Sequence, residues 1–130
     1  FIRRPSTIQY PEQRLPQHPR FRGEEFVWYQ ERCTGCASCA KYCPLGIIKI
    51  ATHPSGENLQ EGDSYDVDVF DIDIGRCMFC GLCVEACPTD PLSIIHSPHY
   101  EWATDNRREQ TMNMEQLLEV LEWETVEYKN

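Results

Sequence analysis

Several things are missing from this chain, and each absence removes a class of function. No apolar run approaches the ~20 residues that a membrane-spanning helix needs, although 41% of the 130 residues are hydrophobic. There is no glycine-rich phosphate loop and no nucleophile standing with a base, so no complete active site is built on this chain and no small-molecule substrate is bound directly. The 12 Lys and Arg are outnumbered by 21 Asp and Glu. A chain with net charge −9 and no basic groove is a poor binder of nucleic acid. Nothing near the start reads as a secretory signal, so a disulfide-permissive compartment has no support. Cysteine is absent everywhere except in two short runs.

Those runs hold all eight cysteines. Cys33, Cys36, Cys39 and Cys43-Pro44 are spaced C-x2-C-x2-C-x3-C-P, and the same spacing returns as Cys77, Cys80, Cys83 and Cys87-Pro88. This is the bacterial iron–sulfur run, present twice. Three thiolates crowded into one loop can grip three irons of a tetranuclear cube, but the fourth cysteine lies too far along the chain to cap the same cube. In two-cluster ferredoxins it ligates the other cluster. The expected sets are therefore Cys33, Cys36, Cys39 and Cys87 on one cluster, and Cys77, Cys80, Cys83 and Cys43 on the second. Structural zinc takes two separated C-x2-C pairs, and a run of three leaves a surplus ligand at each site. The chain is read as an electron carrier with two [4Fe-4S] clusters.

Charge divides the chain into three parts. Residues 1–32 carry six Arg against four Glu, residues 33–100 three basic against nine acidic side chains, and residues 101–130 three against eight. Residues 1–23 form an extended arm, because Pro5, Pro11, Pro16 and Pro19 forbid a helix, and Ile8, Tyr10, Leu15 and Phe21 offer it apolar anchors for docking on a partner. Residues 24–100 form the cluster domain. Its first copy reads as a strand at Phe26–Tyr29, the cluster loop Cys33–Cys39, a turn near Ala40–Tyr42 with a short helix from the fourth cysteine, and a strand at Ile47–Ile50. The second copy enters along Tyr65–Ile74, where the adjacent Val69-Phe70 breaks the period of two and predicts a bulge. Between the copies, His53–Ser64 reads as a surface loop. Residues 101–130 are a C-terminal extension with Met114, Leu117, Leu118 and Leu121 at helical spacing behind Asn113 as N-cap. The fold class is thus α+β: a two-cluster ferredoxin-like domain of two pseudo-symmetric β-loop-α-β units, with an extended arm and a helical tail.

Around the ligands, Gly35, Ala37, Ser38 and Gly81 are small enough to let backbone N–H groups approach sulfur. Met78, Phe79, Leu82 and Val84 make the second loop more apolar, so water is expected to be excluded there and the two clusters to differ in potential. His53, His96 and His99 read as exposed loop residues, and Trp28, Trp102 and Trp123 as packing residues.

Beyond the cysteines, the flanking sequence resembles a known family. FIRRPSTIQYPEQRLPQHPRFRGEE, ERCTGCASCAKYCP, YDVDVFDIDIGRCMFCGLCVEACPTD and YEWATDNRREQTMNMEQLL together are similar to the peripheral-arm subunit of respiratory complex I that carries two tetranuclear clusters, chain I of NADH-quinone oxidoreductase. The resemblance implies the same two ligand sets and an electron relay toward quinone in a proton-pumping enzyme. It also implies partners among the other peripheral-arm subunits (those holding the upstream cluster and the quinone site) and a membrane-arm subunit. The implied location is peripheral to the membrane, on the cytoplasmic face of a bacterial inner membrane or the matrix side in a mitochondrion. The family usually carries a membrane-proximal helical segment before the FRRP-like start, which agrees with this chain beginning at Phe1. Two departures stand out: Pro91 where the family more often has Ala, and the acidic series Asp66, Asp68, Asp71 and Asp73, whose charge should lower a nearby cluster's potential. The rival readings are a freely diffusing two-cluster ferredoxin and the homologous subunit of a membrane-bound hydrogenase or ferredoxin-linked quinone reductase.

Overall fold

The computed structural model describes residues 6–55 and 65–127, with side chains to residue 120. Two antiparallel sheets meet across one core. Phe26–Trp28 (β1) is aromatic and β-branched throughout, suits a strand covered on both faces, and is buried along its whole length. It pairs with Ile94–His96 (β4), placing Phe26 opposite His96 and Trp28 opposite Ile94. Ile48–Pro54 (β2) and Tyr65–Asp73 (β3) form the second sheet, with Ile48 opposite Ile72 and Ile50 opposite Phe70. The strand entering the first copy therefore pairs with the strand leaving the second, and the strand leaving the first pairs with the strand entering the second. This reciprocal pairing is the pseudo-symmetry that the doubled sequence requires.

The bulge is present, one residue earlier than the pattern placed it. Ala51 faces Val69, but Thr52 faces Val67, so Asp68 is the extra residue. Beyond it the chain alternates cleanly, with Phe70 and Ile72 fully buried and Asp71 and Asp73 turned outward. β2 runs on through His53 and Pro54, so the strand takes the first residues of the expected surface loop. The remainder of that loop, 56–64, lies outside the described residues.

The short helices sit differently from expectation. Ser38–Tyr42 (α1) and Leu82–Glu85 (α2) begin one residue before the third cysteine, Cys39 or Cys83, and end before the fourth rather than starting at it. Cys43 is the C-cap of α1, and the proline that follows it cannot continue a helix.

The C-terminal residues join the same core. Thr111–Met112 (β5) pairs with β3, Met112 opposite Ile72. Met114–Glu127 (α3) follows. Its start is held by a reciprocal cap, in which Asn113 Oδ1 accepts from the Gln116 N–H at 2.9 Å and Gln116 Oε1 accepts from the Asn113 N–H at 3.0 Å. Leu117 and Val120 are buried in the core with β1, while Met114 and Leu118 are only partly covered. The apolar stripe thus faces its own domain; the side chain of Leu121 lies outside the described residues. No helix among the described residues is long and apolar enough to cross a membrane.

Residues 6–22 are irregular, with bends and turns in place of a single extended run. The later part of the arm lies along its own chain: the Gly23 N–H donates to the Ser97 carbonyl at 2.8 Å, the Phe21 ring meets Tyr100 edge-on, and Arg14 pairs with Glu101 at 2.7 Å. Ile8, Tyr10, Leu15 and Phe21 remain 41%, 50%, 66% and 42% exposed, so the proposed anchors are still uncovered.

Candidate iron–sulfur centres

The two cysteine loops are copies in backbone as well as in sequence. Gly35 and Phe79, each two residues after the first cysteine of its run, have φ of 66° and 52°. Ala37 and Gly81, each four residues after it, have φ of 57° and 79° and serve as N-caps of α1 and α2. Left-handed residues at matched positions curl each loop back on itself, so that its N–H groups and thiols line one concave side. Two of the four are not glycine, a strain tolerated where the surrounding structure over-determines the turn. Gly35 has no alternative: a Cβ there would stand 2.5 Å from the Tyr65 carbonyl oxygen. The Phe79 N–H donates to Cys77 Sγ at 3.3 Å.

Beside the loops are two small apolar pockets. Cys33, Cys36, Cys39 and Cys87 line the first, and Cys43, Cys77, Cys80 and Cys83 line the second. The remaining walls obey the same repeat. Phe70, seven residues before Cys77, lines the first pocket, and Phe26, seven before Cys33, lines the second. Five residues before each run, the first pocket has Trp28 and the second has Ile72. Each pocket thus takes three thiols from one run and the fourth from the other. Among the described residues, no three His, Cys, Asp or Glu converge as they would on one metal ion. Thiols spread around an apolar space suit a polynuclear cluster better than a single zinc.

Electrostatics distinguishes the thiols. Burial pushes Cys39 up to about 12, and its neighbours Cys33, Cys83 and Cys36 add to the rise. Burial pushes Cys83 up to about 11, again with help from Cys77, Cys80 and Cys43. Cys77 is raised mainly by burial. For Cys87 burial acts upward, but hydrogen bonding from Ser93 and Thr89 outweighs it and brings the thiol to about 7. Their hydroxyl oxygens lie 3.1 Å and 3.2 Å from Cys87 Sγ. Cys36 is lowered in the same way, burial being outweighed by bonds from Ser38 and Thr34. Cys39 on α1 and Cys83 on α2 line different pockets, and the two helices pack together, so the pockets adjoin.

Several neighbours were not legible in the sequence. The arm's Arg22 reaches the second loop, donating to the Phe79 carbonyl at 3.1 Å and to the Cys80 carbonyl. His96 is no exposed loop residue. It lies on β4, its ring is tilted against Phe26 with centroids 4.3 Å apart, it lines the second pocket, and burial holds it below the usual histidine range. His53 lies on β2, exposed, with Nδ1 2.9 Å from Asp68. His99 is half-buried, with Nδ1 2.8 Å from Glu25. The expectation of a drier second loop fails in part, because Met78 and Leu82 are 61% and 40% exposed. Within the acidic series, Asp73 is compensated by Arg107 at 2.7 Å and Arg76 at 2.8 Å.

The comparisons agree with this geometry. Residues 32–90 match the family model described as a 4Fe-4S dicluster domain. Fold and site together define a two-[4Fe-4S] ferredoxin-like electron carrier. The chain is 37% identical over 119 residues to NADH-quinone oxidoreductase subunit I 2 of Geobacter metallireducens, covering 89% of this chain and 86% of that one. It therefore belongs to the NADH-quinone oxidoreductase subunit I family. It is also 37% identical over 117 residues to the subunit I 2 of Symbiobacterium thermophilum, where 86% of this chain matches 46% of the relative. Among solved structures it is similar to a chain of the membrane-bound sulfane sulfur reductase, an archaeal respiratory membrane complex, with TM-score 0.57 and 28% identity over 83% of this chain and 52% of that chain. The chain spans about half the length of these last two.

Proposed function

We propose that this chain is the electron-relay subunit of a membrane-bound, proton-pumping NADH:quinone oxidoreductase. It passes single electrons through two clusters toward the quinone site. The observation that carries the reading is the pair of adjoining pockets, each walled by three cysteines of one run and the fourth of the other. Cys33, Cys36, Cys39 and Cys87 hold one cluster; Cys77, Cys80, Cys83 and Cys43 hold the second. When bound, the clusters supply one-electron reduction and oxidation with little change of shape. The polypeptide excludes water, aims N–H groups at sulfur and fixes the spacing.

The arm, residues 1–23, and the extension, residues 101–130, are read as the parts that meet neighbouring peripheral-arm and membrane-arm subunits. The exposed Ile8, Tyr10 and Leu15 of the arm support that reading. The working location is the cytoplasmic face of the bacterial inner membrane, or the matrix side in a mitochondrion. The test is purification from detergent-solubilised membranes. About eight Fe and eight labile sulfides per chain, large co-purifying partners and cluster reduction by NADH are expected. Elution as a lone small protein would support a diffusible ferredoxin, and zinc in place of iron would overturn the relay. The likeness to the sulfane sulfur reductase chain favours one second reading, a relay in a complex with another donor. Reduction by a low-potential ferredoxin but not by NADH would establish it.

A further inference from the structure

The wall position five residues before each cysteine run differs between the two pockets. In the second pocket it is Ile72, which has no polar atom. In the first it is Trp28, which is 1% exposed and stacked on Phe70 with ring centroids 4.9 Å apart. Its Nε1 is buried without a hydrogen-bond partner among the described residues. An indole nitrogen can only donate, and a buried donor left unmade costs about 1–3 kcal/mol. A tryptophan whose sole purpose was packing could be phenylalanine at no such cost. Trp28 shares its pocket with Cys33, Cys36, Cys39 and Cys87, so a cluster bound there would bring sulfur acceptors to that wall.

We infer that the indole N–H of Trp28 donates a hydrogen bond to a sulfur of the cluster held by Cys33, Cys36, Cys39 and Cys87, and that this bond raises the potential of that cluster alone. An N–H donor stabilises the reduced, more negative cluster over the oxidised one. No such donor comes from Ile72. His96, the other buried orphan, lies in the second pocket, but its Nδ1 faces the Gly23 carbonyl at 3.3 Å. In the neutral ring the hydrogen then sits on Nδ1 and Nε2 is an acceptor, so the second cluster gains no matching bond.

The inference rests on the ligand sets proposed above, and the experiment separates the two. In the purified complex, Cys87→Ser and Cys36→Ser should perturb the electron paramagnetic resonance signal of the same reduced cluster. If they perturb different ones, the ligand sets are wrong. Trp28→Phe, with iron and sulfide at full content, should shift that signal's midpoint to more negative potential and leave the other cluster's midpoint unchanged. An unchanged midpoint, with the ligand variants behaving as expected, overturns the Trp28 bond and leaves the ligation standing. Should Trp28→Phe fail to load, wild-type complex carrying indole-15N tryptophan decides. A nitrogen coupling on the cluster perturbed by Cys87→Ser supports the bond, and absence of coupling refutes it.

Discussion

At the scale of single residues, the loops ask most of glycine where the backbone itself closes in. A Cβ on Gly35 would meet the Tyr65 carbonyl, which is fixed in β3, whereas a Cβ on Gly81 would meet the guanidinium of Arg22 at 2.7 Å, the far end of a flexible side chain. Both residues have positive φ, which costs an L-residue about 1–2 kcal/mol. Gly35→Ala should therefore lower cluster retention and melting temperature clearly more than Gly81→Ala, read by iron content and thermal melting of the two holo-proteins. Equal losses would show that backbone strain, and not the contact with β3, sets the cost. Removing the Arg22 contacts is a milder change. Arg22→Ala should retain full iron but move the potential of the second cluster downward, since a positive charge stabilises the reduced form. That is measurable in the same redox titration.

At the scale of elements, the C-terminal helix and the strand before it are part of the domain's own core. Loss of the Asn113 cap should cost about 1 kcal/mol, and Leu117→Ala, at a fully buried position, about 3 kcal/mol. Both are checked by denaturant unfolding of the holo-protein, and a negligible effect of Leu117→Ala would detach α3 from β1. The end of β3 is tied to the tail through Asp73. Burial raises this carboxyl, but bonds from Arg107 and Arg76 outweigh that and hold it below the usual carboxylate value. Because its folded pKa is depressed, the contribution is fully present above the unfolded value near 4 and is lost as pH falls through the folded one. Asp73→Asn should thus cost about 0.5–1 kcal/mol at pH 7. The deficit should shrink on acidification below about pH 4, read from melting temperatures across pH.

At the scale of the whole molecule, the core is small and the two cysteine-lined pockets lie against it. Chelating the iron should collapse the tertiary signal in circular dichroism and open all eight cysteines to alkylation at similar rates. In the holo-protein they should be protected. Retention of differential protection after chelation would mean that the polypeptide holds its fold without metal. What the sequence disclosed follows from what is local. The cysteine spacing is a property of contiguous chain, so the two copies, the sharing of cysteines between two pockets and the broken alternation in β3 could be read directly. The misplaced helices reflect a left-handed turn at Ala37 and Gly81, which spacing alone does not reveal. Arg22 and His96 escaped because they reach the second site from elsewhere in the fold, Arg22 touching a carbonyl 57 positions away. Met78 and Leu82 were misread because hydrophobic composition does not say which way a side chain points.

The reciprocal strand pairing also bears on how the protein is made. Cys87, Ser93 and Ile94 wall the first pocket, and His96 walls the second. Neither cavity exists until translation has passed nearly to the end of the cluster domain. With the ligand sets proposed above, Cys33, Cys36 and Cys39 would wait for residues synthesised long after them, and cofactor insertion should follow synthesis of the domain and tend toward all or nothing. A chain ending before Cys87 should bind almost no iron rather than half the normal amount.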